Sequence, residues 1–232
     1  MNIAVVIPAL NEASTIERVV ASAMGPEGGA TAHLVNVVDV VVVDGGSEDE
    51  TQTRASSAGA RILNTQRSRA RQLQVGIEAT KSDVVLFLHA DTCLPTGWAM
   101  AVLGALDDPR VVGGAFRLKY EERSTRIRLV EWMARMRIAA LDFPFGDQAI
   151  FVRRAVLDAV GGIADVPVME DVDLVHAMKQ HGRLALLPDC ATTSARRYLD
   201  RGVLRTSVTH FFAFTAWGLG IDRTRLAGWL RR

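Results

Sequence analysis

Val37-Val38-Asp39-Val40-Val41-Val42-Val43-Asp44-Gly45-Gly46-Ser47-Glu48-Asp49-Glu50-Thr51 sets an almost unbroken β-branched run against a cluster of glycine, serine and carboxylates. A run this apolar fits a strand buried on both faces, as in a parallel sheet. The polar cluster marks the carboxyl end of the strand. There Gly45 and Gly46 permit a tight turn and close backbone approach, and Ser47 or Asp49 can cap the helix that follows. Outward from this stretch, the same pattern recurs at residues 3–8 and 84–89, two apolar runs that give way to Asn11-Glu12 and to His89-Ala90-Asp91. Residues 13–23 and 50–58 have helical composition, and residues 69–79 place Ala70, Leu73 and Ile77 at helical spacing. This alternation predicts an α/β fold, a mostly parallel central sheet with helices on both faces. Ligands of such sheets sit outside the carboxyl ends of the strands, so three polar clusters are expected on one rim.

The second half breaks the rhythm. Residues 111–119 and 148–152 read as strands and residues 124–141 as a helix, which predicts a mixed sheet. That helix puts Ile127, Val130, Ala134, Ile138 and Leu141 on one side and Arg126, Arg128, Arg135 and Arg137 largely elsewhere, the pattern of a packed helix with a solvated basic face. Residues 172–180 form a further helix after Glu170-Asp171, with Gly182 as its stop. Residues 208–221 are apolar and aromatic and are followed by Arg223, Arg225, Arg231 and Arg232. One domain over residues 1–200 is expected, with a tail over 201–232 that packs on the domain, on a second subunit in a homodimer, or peripherally on a membrane. Fourteen residues are too few to cross about 30 Å of hydrocarbon.

With 27 basic against 26 acidic side chains, no global field selects for nucleic acid. The first residues read as a strand rather than an export leader, and Cys93 and Cys190 have no metal-ligand spacing. Both point to the cytoplasm, the inner face of the plasma membrane included.

Four clusters carry possible chemistry, each with a plainer structural reading beside it. Asp44 can accept hydrogen bonds from a base or ribose, or can simply organise a strand-to-helix turn. His89 and Asp91, two apart at a strand end, can face one side and bridge a divalent ion, or Asp91 can begin the turn toward Pro95. Hard ions such as Mg²⁺ and Mn²⁺ prefer carboxylate oxygen, which favours Asp91 over His89. Glu170 and Asp171, with Asp173 nearby, sit where a helix N-terminus stabilises negative charge. They cap that helix, or one of them, Asp171 by this reading, takes a proton from an attacking hydroxyl. Ser194-Ala195-Arg196-Arg197-Tyr198 is either a solvated basic surface or a clamp for a leaving diphosphate.

Taken together and in order, Pro8-Ala9-Leu10-Asn11-Glu12, Val43-Asp44-Gly45-Gly46-Ser47-Glu48-Asp49-Glu50-Thr51, Leu88-His89-Ala90-Asp91, Gly146-Asp147-Gln148 and Met169-Glu170-Asp171 resemble the inverting family-2 glycosyltransferases. The likeness spans roughly residues 1–200 and is greatest to a small bacterial branch in which His-Ala-Asp replaces the usual Asp-x-Asp motif. It implies a GT-A fold, a nucleoside-diphosphate sugar donor and Mg²⁺ or Mn²⁺. It implies donor-nucleotide contacts along Pro8, Asn11, Glu12, Asp44, Arg69 and Ala90, metal binding at Asp91 with His89 beside it, and Asp171 as catalytic base. Asp147, Gln148, Glu170, Arg196 and Arg197 fall at the diphosphate or the acceptor. Arg196-Arg197-Tyr198 departs from the Gln-x-x-Arg-Trp of processive members, and no apolar run of about 18 residues could build a channel, so one transfer per encounter is expected. The acceptor hydroxyl is unspecified, a lipid-linked one included. The rival reading is a non-catalytic nucleotide-sugar binding protein with a degenerate metal motif. Residues 8–12 hold no glycine, which sets aside the glycine-rich loops of nucleotidyltransferases and dinucleotide dehydrogenases.

Overall fold

The computed structural model describes residues 1–25 and 37–231, so Arg232 of the tail lies outside the described residues. The chain runs β1 (Ile3–Ala9), α1 (Ile16–Met24), β2 (Val37–Asp44), α2 (Thr51–Ser57), β3 (Arg61–Asn64), α3 (Arg69–Glu78), β4 (Val84–Phe87), β5 (Thr92–Cys93), α4 (Trp98–Ala105) and β6 (Val111–Tyr120). It continues with α5 (Thr125–Leu141), a 3₁₀ turn (Gly146–Gln148), β7 (Phe151–Arg153), α6 (Arg154–Ala159), α7 (Glu170–Lys179), β8 (Arg183–Thr193), α8 (Arg196–Arg201), α9 (Val203–Gly218) and α10 (Arg223–Arg231).

The strands form one sheet in the order β3-β2-β1-β4-β7-β6-β8-β5. β1 to β4 pair in parallel, β7 runs antiparallel to both β4 and β6, and β6 pairs in parallel with β8. The sheet is therefore mostly parallel and mixed, as the sequence predicts. β8 is the long element the sequence reading lacks. Pro188 interrupts it, and a proline counts against a regular strand. The register absorbs it: Phe116 faces Leu187 and Arg117 faces Cys190, which leaves Pro188 and Asp189 in a bulge. Residues 148–150 also differ from expectation, lying in the 3₁₀ turn and the connection before β7.

Both faces of the sheet are covered. Ile3, Val5 and Ile7 of β1 pack with Ile16, Val19 and Val20 of α1 and with Trp98 and Val102 of α4. Val6 points the other way with Val41 and Val43, against Leu73 and Ile77 of α3 and Val172 and Val175 of α7. No room is left where β6 meets β8: a Cβ on Gly114 would stand 2.0 Å from the Ala185 carbonyl oxygen and 2.8 Å from the Phe151 ring. Gly114→Ala should therefore cost about 3 kcal/mol of stability, read as a lower urea midpoint. An unchanged midpoint would show that the strands separate more freely than their packing indicates.

Among the described residues no helix is long and apolar enough to cross a membrane. The tail helices pack back on the domain. Phe214 and Trp217 of α9 contact the Phe143 ring, and Trp217 Nε1 and the Arg223 guanidinium each donate to Asp173 Oδ1 at 2.7 Å.

Candidate active site

The loops at the carboxyl ends of β1 and β2 are joined before any ligand arrives. Asn11, in the left-handed region at φ 54°, donates its amide to Ser47 Oγ at 2.8 Å and accepts from the Glu48 amide at 2.9 Å. The Glu12 amide donates to Thr51 Oγ1 at 2.8 Å. Beneath them the buried Gln72 amide donates to the carbonyls of Ala9 at 2.8 Å and Val43 at 2.7 Å, tying the strand ends together. Asp44 is fully buried. One of its oxygens accepts from the amides of Gly46 and Ser47 and from Gln52, at 2.8–2.9 Å, and the other accepts from the Ser47 hydroxyl. In this conformation Asp44 organises the turn, and the rim reaches solvent through Asn11 and the partly exposed Glu12 instead.

Glu12 leads across the rim. Its carboxylate takes both oxygens to Arg196, at 2.9 and 3.1 Å, while Thr15 donates to the Ala90 carbonyl at 2.8 Å. Asp91 follows, its carbonyl accepting from the Ser194 amide at 3.2 Å and its carboxylate from the Thr92 hydroxyl at 3.4 Å. That long contact leaves the carboxylate able to meet a hard cation. No group of three His, Cys, Asp or Glu side chains that could hold a metal gathers among the described residues. An ion at Asp91 would therefore draw its other ligands from diphosphate and water, which suits Mg²⁺ or Mn²⁺.

His89 has a different occupation. Its Nε2 meets a terminal nitrogen of Arg69. A guanidinium has only donors and does not give up its proton, so Nε2 is the acceptor and its lone pair is spent there. Desolvation, then Arg69 and Arg197, hold the His89 pKa well below the ordinary histidine value. The metal reading thus rests on Asp91.

Deeper in, a cavity of about 580 Å³ takes Arg69, His89, Gly146, Asp147, Asp171 and Arg197 from the domain. Its far wall is the tail: Arg201, Thr206, Thr209, His210, Ala213 and Trp229. Gly146 is the point of convergence. Its amide donates to Asp171 Oδ2 at 2.7 Å, and a Cβ there would lie 2.8 Å from that oxygen, 2.9 Å from Arg69 and 3.0 Å from His89 Nε2. Gly146→Ala must push three polar groups apart by tenths of an ångström. We expect a turnover loss of roughly 10- to 100-fold with near-normal stability, because small misplacements of reacting groups are costly. Unimpaired turnover would place the chemistry elsewhere.

Three carboxylates occupy the first turn of α7, and two are already engaged. Glu170 is buried and pairs with Arg69 Nε at 2.6 Å; burial pushes its pKa up and Arg69 opposes the shift. Asp173 holds Trp217 and Arg223. Asp171 accepts two backbone amides, from Gly146 and from Val172 at 3.0 Å, and still has lone pairs toward the cavity. The Gly-Asp-Gln segment divides its work. Gln148 is fully buried, donating to the Phe116 carbonyl at 2.9 Å and accepting from Arg137 at 2.9 Å and the Phe145 amide at 3.1 Å. It is a brace for the loop. Arg137, expected on a solvated face, turns inward and lies 3.4 Å over the Phe145 ring, while Leu141, expected on the packed side, is half exposed at the helix end. Asp147 Oδ1 is buried with no hydrogen-bond partner among the described residues. Desolvation raises its pKa against the pull of Arg137.

The tail wall is what sequence reasoning missed. The signal was present: Thr206, Thr209, His210 and Ala213 recur at i, i+3, i+4 and i+7, a small and polar stripe inside an aromatic helix. Burial, then Arg197 and Arg137, lowers the His210 pKa to about 4. Because the folded value lies below the unfolded one, the native state holds fewer protons, and stability is lost as pH falls from about 6.5 toward 4. We expect His210→Asn to remove up to about 3 kcal/mol of that acid sensitivity, seen as a flatter melting temperature against pH. An unchanged profile would assign the sensitivity to other groups.

With the geometry in place, comparison with known proteins gives it a family. Residues 4–161 match the glycosyl transferase family 2 domain. The chain belongs to that family. This family-2 glycosyltransferase is similar to glucosyl-3-phosphoglycerate synthase of Mycolicibacterium smegmatis, 31% identical over 157 residues that cover 60% of this chain and 50% of that protein. The chain spans about half or less of the curated relatives it matches. Its fold superposes on the Mycobacterium tuberculosis glucosyl-3-phosphoglycerate synthase in complex with Mn²⁺, UDP-glucose and phosphoglyceric acid, with a TM-score of 0.63 at 21% identity over 95% of this chain and 80% of the other. The same enzyme with Mg²⁺ and UDP gives 0.60 at 22% identity over 95% and 80%. The fold is GT-A, as the motifs implied.

Proposed function

We propose that this enzyme moves a hexose, with UDP-glucose the first donor to test, to a hydroxyl of an acceptor that also carries an anionic group. The observation that carries the reading is that Asp171, Arg197 and Arg201 line one cavity. The acceptor's anion lies against those arginines, which favour phosphate and carboxylate, and its hydroxyl lies toward Asp171. Asp171 takes the hydroxyl proton as that oxygen bonds to the anomeric carbon. The bond from that carbon to the diphosphate breaks with its electron pair, and the configuration inverts. Asp147, short of a hydrogen-bond partner, receives a sugar or acceptor hydroxyl. Pro8, Asn11, Glu12 and Ala90 frame the nucleoside, with Asp44 shaping their turn, and Arg69 and Arg196 receive the leaving diphosphate. A Mg²⁺ or Mn²⁺ ion at Asp91 would neutralise diphosphate charge.

UDP-glucose and a phosphorylated hydroxy acid occur together with the structural relative, which supports this choice of donor and acceptor class. A panel of nucleotide sugars, with and without Mn²⁺, tests it by thermal stabilisation. A ligand at a hundred times its dissociation constant adds about 2.7 kcal/mol to stability. Stabilisation by UDP-sugars that requires Mn²⁺, followed by UDP release when a phosphorylated hydroxy acid is added, is expected. Binding with no release for any acceptor would favour the non-catalytic reading. No stabilisation by any nucleotide sugar would end both.

A further inference from the structure

Helix α5 carries two apolar stripes. Ile127, Val130, Ala134 and Ile138 are buried against the domain. Leu129, Trp132, Met133 and Met136 recur at helical spacing on the opposite side and stand exposed, Trp132 at 51% and Met136 at 50%. A surface helix commits one face to a core and leaves the other polar, so the second stripe has no part in holding this fold. Helix α9 touches α5 and repeats the arrangement. Thr206 and Ala213 are buried along the cavity, while Leu204, Val208, Phe211 and Phe212 face outward, the two phenylalanines at 68% and 62% exposure. Two neighbouring helices each showing such a stripe make more apolar surface than scattered exposed side chains explain.

The charges beside these stripes have one sign. Arg126, Arg128 and Arg135 of α5 are exposed. The only acid on either helix is Glu131, and it is turned inward, accepting from the Tyr120 amide at 2.8 Å. A two-fold pairing of this face with a second copy would set an arginine-flanked surface against itself, with no outward carboxylate on either helix to answer it. An anionic bilayer meets both needs: acyl chains for tryptophan, phenylalanine, leucine and methionine, and phosphates for guanidinium groups.

We propose that the outward faces of α5 and α9 are an interfacial binding surface for anionic lipid membranes, the helices lying in the headgroup region rather than crossing it. Because the other face of α9 walls the cavity, docking holds the cavity beside the lipid. The inference does not depend on the donor or acceptor, since none of the outward side chains lines the cavity.

Co-sedimentation of the full chain tests it, with vesicles of equal parts phosphatidylglycerol and phosphatidylcholine and vesicles of phosphatidylcholine alone, in the absence of nucleotide. Binding to the anionic vesicles is expected. It should weaken about tenfold or more in Trp132→Glu with Met136→Glu, and likewise in Phe211→Glu with Phe212→Glu. Both pairs sit at exposed positions and should leave the circular dichroism spectrum and UDP release in solution unchanged. Should either pair unfold, Trp132→Phe provides a second measurement: quenching of tryptophan emission by acyl-brominated phosphatidylglycerol should be reduced in that variant. The proposal is overturned if the full chain stays in the supernatant, or if folded variants bind as tightly as the parent. It is equally overturned if the variants turn a dimer into a monomer and no vesicle binding is seen, because the face then joins two copies of the chain. Vesicle binding without UDP release would remove the proposed activity and leave this inference standing.

Discussion

Asp171→Asn should lower turnover by roughly 10²–10⁴ while donor affinity and melting temperature stay near the parent values. The amide keeps the shape of the carboxylate, and its oxygen can still accept from Gly146 across the loop, at the cost of the neighbouring Val172 amide contact. What is lost is proton acceptance. The neighbours cannot substitute without breaking something else: Glu170 is buried in its pair with Arg69, and Asp173 anchors the tail through Trp217 and Arg223. Glu170→Gln and Asp173→Asn should accordingly show up first as lost stability, since each removes a charge from a partnered arginine. Turnover retained in Asp171→Asn, measured as UDP release under saturating donor, would assign the base to another group.

The second large effect belongs to the metal. Asp91→Ala should abolish the gain in donor affinity that Mn²⁺ brings, a loss of about 100-fold or some 2.7 kcal/mol, with the fold intact. His89→Ala should leave that gain in place, because the histidine lone pair is given to Arg69. Titration of UDP-glucose in Mn²⁺ and in EDTA separates the two variants. Equal donor affinity of the parent in both buffers would remove the ion from the account, and an equal loss in both variants would return His89 to the metal site.

The N-terminal half of the fold was legible because its strands advertise themselves. Uninterrupted β-branched runs such as residues 37–43 have few alternatives, and each ends in polar residues that the parallel sheet must bring to one rim. The second half was harder to read. β8 is divided by Pro188, and its bulge exists only because β6 lies beside it, a tertiary fact with no local signature. The spacing of α5 marks it as a helix, but Arg137 turns inward only because Phe145 and Gln148 come back from the following loop to meet it.

The site follows the same division. Motifs could bring Asp91, Gly146 and Asp171 forward, since strand ends and helix starts position them. The turn that Asp44 closes is local, one of the two readings its neighbours Gly46 and Ser47 offer, whereas the pairing of His89 with Arg69 joins residues 20 apart in sequence. The contribution of the tail was least visible. Its aromatic residues dominate the pattern of the helix, whereas the small and polar stripe of Thr206, Thr209, His210 and Ala213 lines the cavity.

The proposed single displacement at the anomeric carbon, with Asp171 as base on one side of the cavity, fixes the configuration of the product. The most direct measurement is the anomeric configuration of the first-formed product, read by NMR from UDP-glucose labelled with ¹³C at the anomeric carbon. UDP-glucose is an α-glycoside, so one in-line displacement predicts a β-linked product, absent in Asp171→Asn. An α-linked product would contradict the account.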